Sequence, residues 1–301
     1  MTERGVTAEG TTGRHAKMRW PNRNWGPIDV TFFGSWLMLF DTAGQVRRDN
    51  DSPVFTLAGV AVANENSQVV RTLVERQLPT KWRDGGPAGF KIAENIIVGQ
   101  TLRVSVTHLT GIAEEQWQAF WDEGQRQSAK LKQVTKQRVD FAGGNSASRL
   151  LLFAMIFAHT FGHVLLRRGW KTPAPPNLRD AAQFSAIFDT DISDPETRSV
   201  LTETLQYNAT RGRFATFANL DMDIDACFKT EQEEPLLLLA DYVAGVFHHA
   251  HRDAVIGKPV APLPEVRDMA ETFYKAMGSN LRIVDQPFEE IHPLTGQMWD
   301  P

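Results

Sequence analysis

The chain of 301 residues holds one cysteine, Cys227, so a disulfide within the molecule is excluded. Its first twenty residues carry charges and no apolar core segment, so no secretory signal is expected and the chain reads as cytoplasmic. Long hydrophobic runs are scarce as well. The longest, Leu150 to Leu166, is broken by His159, Thr160, Gly162 and His163 and flanked by arginines, which falls short of a membrane span. An excess of positive charge is missing too. With 32 basic and 36 acidic side chains, a formal net charge of -4, the whole molecule does not attract a polyanion, and any nucleic-acid contact needs a local basic face. There is no glycine-rich phosphate loop, no Cys-x-x-Cys pair, no nucleophile elbow and no internal repeat.

What is present is an alternation of short apolar runs and helical patterns with no clear break, which points to an α/β domain. Residues 1–30 are polar and read as an N-terminal arm, residues 31–255 as the domain, and residues 256–301 as a closing helix and tail packed on it. Val30 to Phe40 and Pro53 to Val62 read as a hairpin of buried strands around the turn-forming DTAGQVRRDNDS. Asn-Glu-Asn-Ser caps a helix over Gln68 to Leu78 whose apolar face carries Val69, Leu73 and Leu78. A Gly/Pro loop, KWRDGGPAGFK, leads to a third strand, Thr101 to Leu109. Ala113 to Arg138 is amphipathic, and Ser146 to Trp170 is apolar nearly all round, as a central helix would be. Then come a strand ending at Asp189, a short strand in RFATFANLDM, an apolar helix from Glu234 to Arg252, and an amphipathic helix from Pro264 to Met277.

Three carboxylates sit where burial is expected: Asp41 at the end of WLMLF, Asp189 at the end of AIF, and Asp241 inside LLLLADYVAG. An ionised carboxylate without a partner is costly to bury, and three together repel unless a cation lies among them. Oxygen ligands of this kind suit Mg²⁺ or Mn²⁺, and two such ions about 3.5–4 Å apart clamp the attacking and leaving oxygens of a phosphodiester. Each aspartate also has a plainer use. Asp41 suits the opening of a turn that Gly44 completes, and Asp189 could cap the following helix, although Asp191 and Asp194 are better placed. Asp241 needs a cation, a hydrogen-bond donor or an edge.

The order of these motifs resembles the family known as domain of unknown function 3800. Its pattern is an Asp-Glu-Ser-Gly turn after a first strand, an apolar partner strand, a Glu-x-Lys motif, a strand ending in Asp, and a closing helix with Leu-Gln-x-Ala-Asp. The corresponding stretches are DTAG (Asp41 to Gly44), FTLAGVAV, GFK (Gly89 to Lys91), AIFDTD and LLLAD (Leu237 to Asp241), spanning Phe32 to Arg252. Thr42 stands at the first glutamate, Ala43 at the serine, Gly89 at the second glutamate and Leu238 at the glutamine, with Glu94 one helical turn beyond Lys91 as a substitute acid. The resemblance implies a ribonuclease-H-like mixed five-stranded sheet flanked by helices, its first three strands antiparallel, with further helices added. Asp41 would lie on the middle strand, Asp189 on its neighbour, and Asp241 would approach from a helix. It implies a metal-dependent phosphodiesterase on RNA or DNA, with Asp41, Asp189 and Asp241 holding Mg²⁺ or Mn²⁺ and Lys91 steadying a phosphate. The departures leave open a non-catalytic member that binds a nucleic acid or a protein.

Other groups have plainer readings. His159 and His163, four residues apart in an apolar stretch, read as core histidines. His248, His249 and His251 read as cations at a helix C-terminus. Arg126, Lys130, Lys132, Lys136, Arg138, Arg167, Arg168 and Lys171 are candidates for a phosphate-tracking face, with Trp117 and Trp121 as stacking surfaces, but each run also reads as a solvated helix face.

Overall fold

The run GSWLMLFDTA forms strand β1 (Gly34–Ala43), apolar on both faces because it lies inside the sheet rather than at its edge. The structure, a computed structural model, describes residues 34–44, 54–78, 80–110, 182–190, 224–256 and 265–287, with helical positions 119, 122, 126, 129 and 133. Strands β2 (Val54–Ala63) and β3 (Arg103–Thr110) follow β1 in antiparallel succession, while β4 (Ala182–Asp189) runs parallel to β1 on its other side. Two edge strands complete the sheet: β5 (Ile224–Lys229) parallel to β4 and β6 (Leu281–Pro287) parallel to β3, giving the order β5-β4-β1-β2-β3-β6. The mixed sheet flanked by helices is as expected, but it has six strands rather than the expected five.

The extra strand comes from LRIVDQP, where Leu281, Ile283 and Asp285 alternate onto one face, a pattern hidden in what reads as a polar, proline-bearing tail. Strand β5 lies just beyond the stretch expected to be extended, and Arg213 to Met222 falls outside the described residues. Its signal is weak because IDACFK is short, mixed in polarity and preceded by Asp221 and Asp223.

Register sorts the sheet into two faces. Leu39, Val60, Val104 and Ile187 align on the face that carries Asp41, whereas Phe40, Phe188 and Phe228 stack across the other with ring centroids 5.2 and 5.4 Å apart. Phe40 lies over its register partner Gly59, where a β-carbon would meet the ring at 2.7 Å.

Helix α1 (Asn64–Gln77) begins directly at Asn64, so Asn-Glu-Asn-Ser forms its first turn instead of preceding it, and Ser67 bonds the Asn64 carbonyl. Its buried side is Val70, Val74 and then Leu78, while Val69 is exposed, one position out of phase with the expected stripe. The expected loop KWRDGGPAGFK is instead mostly helix. Helix α2 (Trp82–Gly99) is broken at Gly86, whose φ of 50° and ψ of -145° only glycine adopts readily, and it resumes at Pro87, a residue preset for a helical first turn.

Helix α3 (Leu237–Ile256) packs on β1 and β2 with one side and on α2 and α4 (Val266–Met277) with the other. That double burial explains an apolar sequence all round, and each fully buried ring such as Phe247 stabilises the fold by about 1.5–3 kcal/mol. Close approach of α2 to α3 requires glycine at both contact points. A β-carbon at Gly89 would stand inside the Tyr242 ring, and one at Gly245 inside Trp82, whose ring meets Tyr242 edge-on at 6.0 Å. None of the described helices is long and apolar enough to cross a membrane.

Candidate functional site

Strand register brings the first two acids together. Phe40 pairs with Phe188 across the parallel β1–β4 ladder, so Asp41 and Asp189 leave the ends of neighbouring strands on the same face. The third member of the cluster is Glu231, a residue that sequence reasoning missed. Asp41, Asp189 and Glu231 each offer a carboxylate oxygen within 4.8 Å of the others, and the two aspartates are only 5% and 6% exposed.

Glu231 is held by local chemistry. Thr190 N–H donates to the Lys229 carbonyl at the end of the β4–β5 ladder, and the chain then turns through Thr230 to Glu234. Thr230 and Glu233 form a reciprocal capping box: the Glu233 N–H donates to the Thr230 hydroxyl, and the Thr230 N–H donates to the Glu233 carboxylate at 2.8 Å. Those bonds to Thr230 hold the Glu233 carboxyl below its ordinary pKa. A two-toothed ion pair from Arg71 on α1 to the buried Glu234, at 3.1 and 2.8 Å, ties this turn to the body of the protein. The sequence signal was therefore available: TEQE after a strand places its second residue at the C-terminal edge of the sheet.

Asp241 stands beside the cluster with an occupation of its own. It lies in the second turn of α3, and its carboxylate accepts the Trp82 N–H at 2.5 Å, capping from outside a helix whose N-cap residue, Lys81, supplies no side-chain cap. The adjacent Tyr242 hydroxyl donates to the Lys81 carbonyl at 3.3 Å. Together they hold the backbone of Lys81 and Trp82, and the Lys81 ammonium is thereby delivered to the acids. It bonds Asp189 at 3.3 Å and pairs with Glu231. Lys91, by contrast, is exposed on α2, and its charge is felt by Glu94, whose carboxyl is raised by burial and lowered in part by Lys91.

Among the described residues Lys81 bonds Asp189, pairs with Glu231 and acts on Asp241, and two like unit charges about 5 Å apart repel by about 3 kcal/mol at an effective dielectric of about 20. Partial burial alone would lower the Lys81 pKa, but its bond to Glu231 and the charges of Asp189 and Glu231 outweigh that and raise it. Burial pushes Asp241 up to about 6; the Trp82 N–H and Lys81 pull it down, and Glu231 and Asp189 push it further up. An oxygen-only donor set of three carboxylates fits a hard divalent cation.

Comparison with known proteins adds little to this geometry. Neither a family model nor a curated protein sequence matches the chain. Among solved structures, a chain of the PCNA:RNase HII complex from Archaeoglobus fulgidus is similar at 15% identity and a TM-score of 0.38, over 81% of this chain and 90% of that one. Ribonuclease H2 from Pyrococcus horikoshii OT3 is similar at 12% identity and a TM-score of 0.37, over 88% and 94%. Likeness at this level assigns no activity.

The remaining candidates divide. Arg126 is helical and exposed, as a solvated face requires, whereas His159, His163, Trp117, Trp121 and the other basic residues lie outside the described residues. The histidines of FHHAHR do not end their helix. Helix α3 continues to Ile256, His248 and His251 are both 5% exposed, and burial lowers the His251 pKa to about 4, so it is neutral at physiological pH.

These shifts have opposite signs in stability. Asp241, at about 6 in the fold against 3.8 ordinarily, keeps a proton that the unfolded chain releases, so its contribution falls as pH rises through that window. His251, lowered from 6.5 to about 4, contributes stability that is present above 6.5 and lost as pH falls toward 4. Asp241→Asn keeps an oxygen for the Trp82 N–H and removes the first slope. In chelator, urea unfolding of this variant should rise more steeply between pH 4 and 6.5 than that of the wild type, ending about 1–3 kcal/mol more stable at pH 7.5. Parallel curves would refute the assignment.

Proposed function

We propose that this chain is a divalent-metal-dependent phosphodiesterase acting on nucleic acid, related to the domain of unknown function 3800 family. Asp41, Asp189 and Glu231 would hold Mg²⁺ or Mn²⁺, and Asp241 would bias the site from α3. The observation that carries this reading is the convergence of three carboxylates from β1, β4 and the turn after β5 within 4.8 Å at one end of the sheet. Separate elements deliver them, so local sequence preference alone does not account for the cluster, and their mutual repulsion is tolerated where a cation serves a function. A bound cation would polarise a phosphoryl oxygen and lower the pKa of an attacking water. Lys81 is placed to steady phosphate charge as the substrate approaches, since its ammonium already bridges Asp189 and Glu231. The nucleic-acid substrate is supported by the motif order DTAG, AIFDTD and LLLAD.

The same Lys81 bridge favours a second reading. An ammonium seated on two of the acids can serve as a permanent counter-ion, leaving a non-catalytic protein that binds a nucleic acid or a protein through this fold. Calorimetric titration with Mn²⁺ separates the two. The enzyme reading expects binding by the wild type, its loss in Asp41→Asn, and about tenfold tighter binding in Lys81→Met, because the competing internal cation is gone. Absence of binding at millimolar Mn²⁺ in both the wild type and Lys81→Met would leave the second reading.

A further inference from the structure

A second constellation lies at the other side of the same sheet face. Thr56, His108 and Asp285 are register partners across β2, β3 and β6, so their side chains share the face on which α3 packs. From α3, His251 stacks its ring on His108 with centroids 4.1 Å apart and planes 14° from parallel. His108, His251 and Asp285 each offer a donor atom within 4.8 Å of the others.

The hydrogen-bond accounting leaves a gap at this point. His108 is fully buried and its Nε2 has no partner among the described residues, nor has either ring nitrogen of His251, which stands 3.6 Å from the Asp285 carboxylate. Unpaired polar nitrogens are rare in protein interiors, and each costs about 1–3 kcal/mol unless something satisfies it. Three in one spot call for a ligand common to both rings.

Thr56 indicates which kind. Its hydroxyl lies 3.0 Å from His108 Nδ1 and 3.4 Å from His248 Nδ1, and with one proton it can accept from one ring and donate to the other. If His108 Nδ1–H donates to Thr56, the hydroxyl donates to His248, and His108 Nε2 is left with a lone pair directed away from Thr56. A histidine whose outer N–H is anchored and whose inner nitrogen is bare is the usual state of a metal ligand. We propose that His108, His251 and Asp285 form a binding site for a transition-metal dication of the zinc class, separate from the all-oxygen cluster of Asp41, Asp189 and Glu231. Two imidazoles and a carboxylate suit zinc, whereas three carboxylates suit magnesium or manganese. The donors would draw together by about 1 Å to reach bonds of about 2.0–2.2 Å, and Asp285, partly exposed, leaves a route for entry. The ion would join α3 to β3 and β6, which explains why polar rings are tolerated under an apolar helix.

The test uses the full chain, stripped with chelator and reloaded with Zn²⁺ alone, with metal content measured after gel filtration. Wild type and the double variant Asp41→Asn/Asp189→Asn should both retain one equivalent, and Zn²⁺ should raise Tm by about 5 °C. His108→Gln and His251→Gln, near-isosteric and checked by circular dichroism, should bind at least tenfold more weakly, and Asp285→Asn likewise. A wild type that retains no zinc at micromolar metal, glutamine variants that bind as tightly, or loss of zinc in the acid double variant would overturn the proposal.

Discussion

Cleavage of RNA, DNA or their hybrid in the presence of Mn²⁺ should fall by about 10²–10³-fold in Asp189→Asn, equivalent to about 3–4 kcal/mol of transition-state stabilisation. The substitution keeps the shape of the side chain and one acceptor oxygen but removes the charge that a cation needs. The fold should survive. Asp189 ends β4, Ile187 two positions before it stays in the core, and Lys81 keeps its pair with Glu231. Because Lys81 is about one-third exposed, losing its bond to Asp189 should cost no more than about 1 kcal/mol. A variant with a wild-type far-ultraviolet spectrum and more than half the wild-type cleavage rate would sink the metal assignment. A wild type that cuts none of the three substrates would sink the catalytic one.

The second large effect concerns a residue that looks like a lost catalytic acid. Gly89 occupies the glutamate position of the Glu-x-Lys pattern, so restoring Gly89→Glu ought to repair the motif. We expect the opposite result. A β-carbon at that position stands inside the fully buried Tyr242 ring, and the longer side chain would force α2 away from α3 while burying a charge. Overpacking of this sort costs about 3 kcal/mol or more, which should appear as a Tm drop of about 6 °C or an insoluble protein. Combining it with Tyr242→Ala should recover part of the loss, since the two sites share one volume. An unchanged Tm for Gly89→Glu would show that the helices are not locked at this contact. The glycine is therefore accounted for by Tyr242 and by helix packing, and its presence says nothing for or against catalysis.

Local pattern carried much of the architecture. The first three strands, the strand ending in Asp189, and the helices at Leu237–Ile256 and Val266–Met277 were legible because each is a run of matched hydrophobic period with turn-forming flanks. The misreadings also have local causes. Gly85, Gly86 and Pro87 resemble a loop because glycine and proline usually end helices, yet a positive φ at Gly86 lets one helix break and resume. Strands β5 and β6 are edge strands, short and partly polar, so their alternation is weak.

The site was legible in half. Asp41 and Asp189 stood out because a carboxylate at the end of an apolar strand must be answered by something, whereas the adjacency of their two strands was implied only by the family resemblance. Glu231 hid in a polar stretch that reads as surface, and Lys81 hid in LPTKW, where nothing marks a lysine as turned toward carboxylates. Asp241 was recognised as needing a partner, but its partner, the Trp82 N–H, is a backbone group and leaves no trace in residue type.

Sequence by itself determined where the apolar inner strands lie, which segments want burial and which carboxylates are out of place, because those follow from periodicity and transfer free energy over a few residues. Only the tertiary structure decided which groups meet. Lys81 reaches Asp189 across 108 positions and Trp82 reaches Asp241 across 159, distances bridged by strand register and by the docking of α3. The same docking buried two of the three histidines that read as helix-end cations, His248 beside Thr56 and His251 beside Asp285. A charge's meaning depends on its dielectric surroundings, and those exist only once the helix has been laid on the sheet.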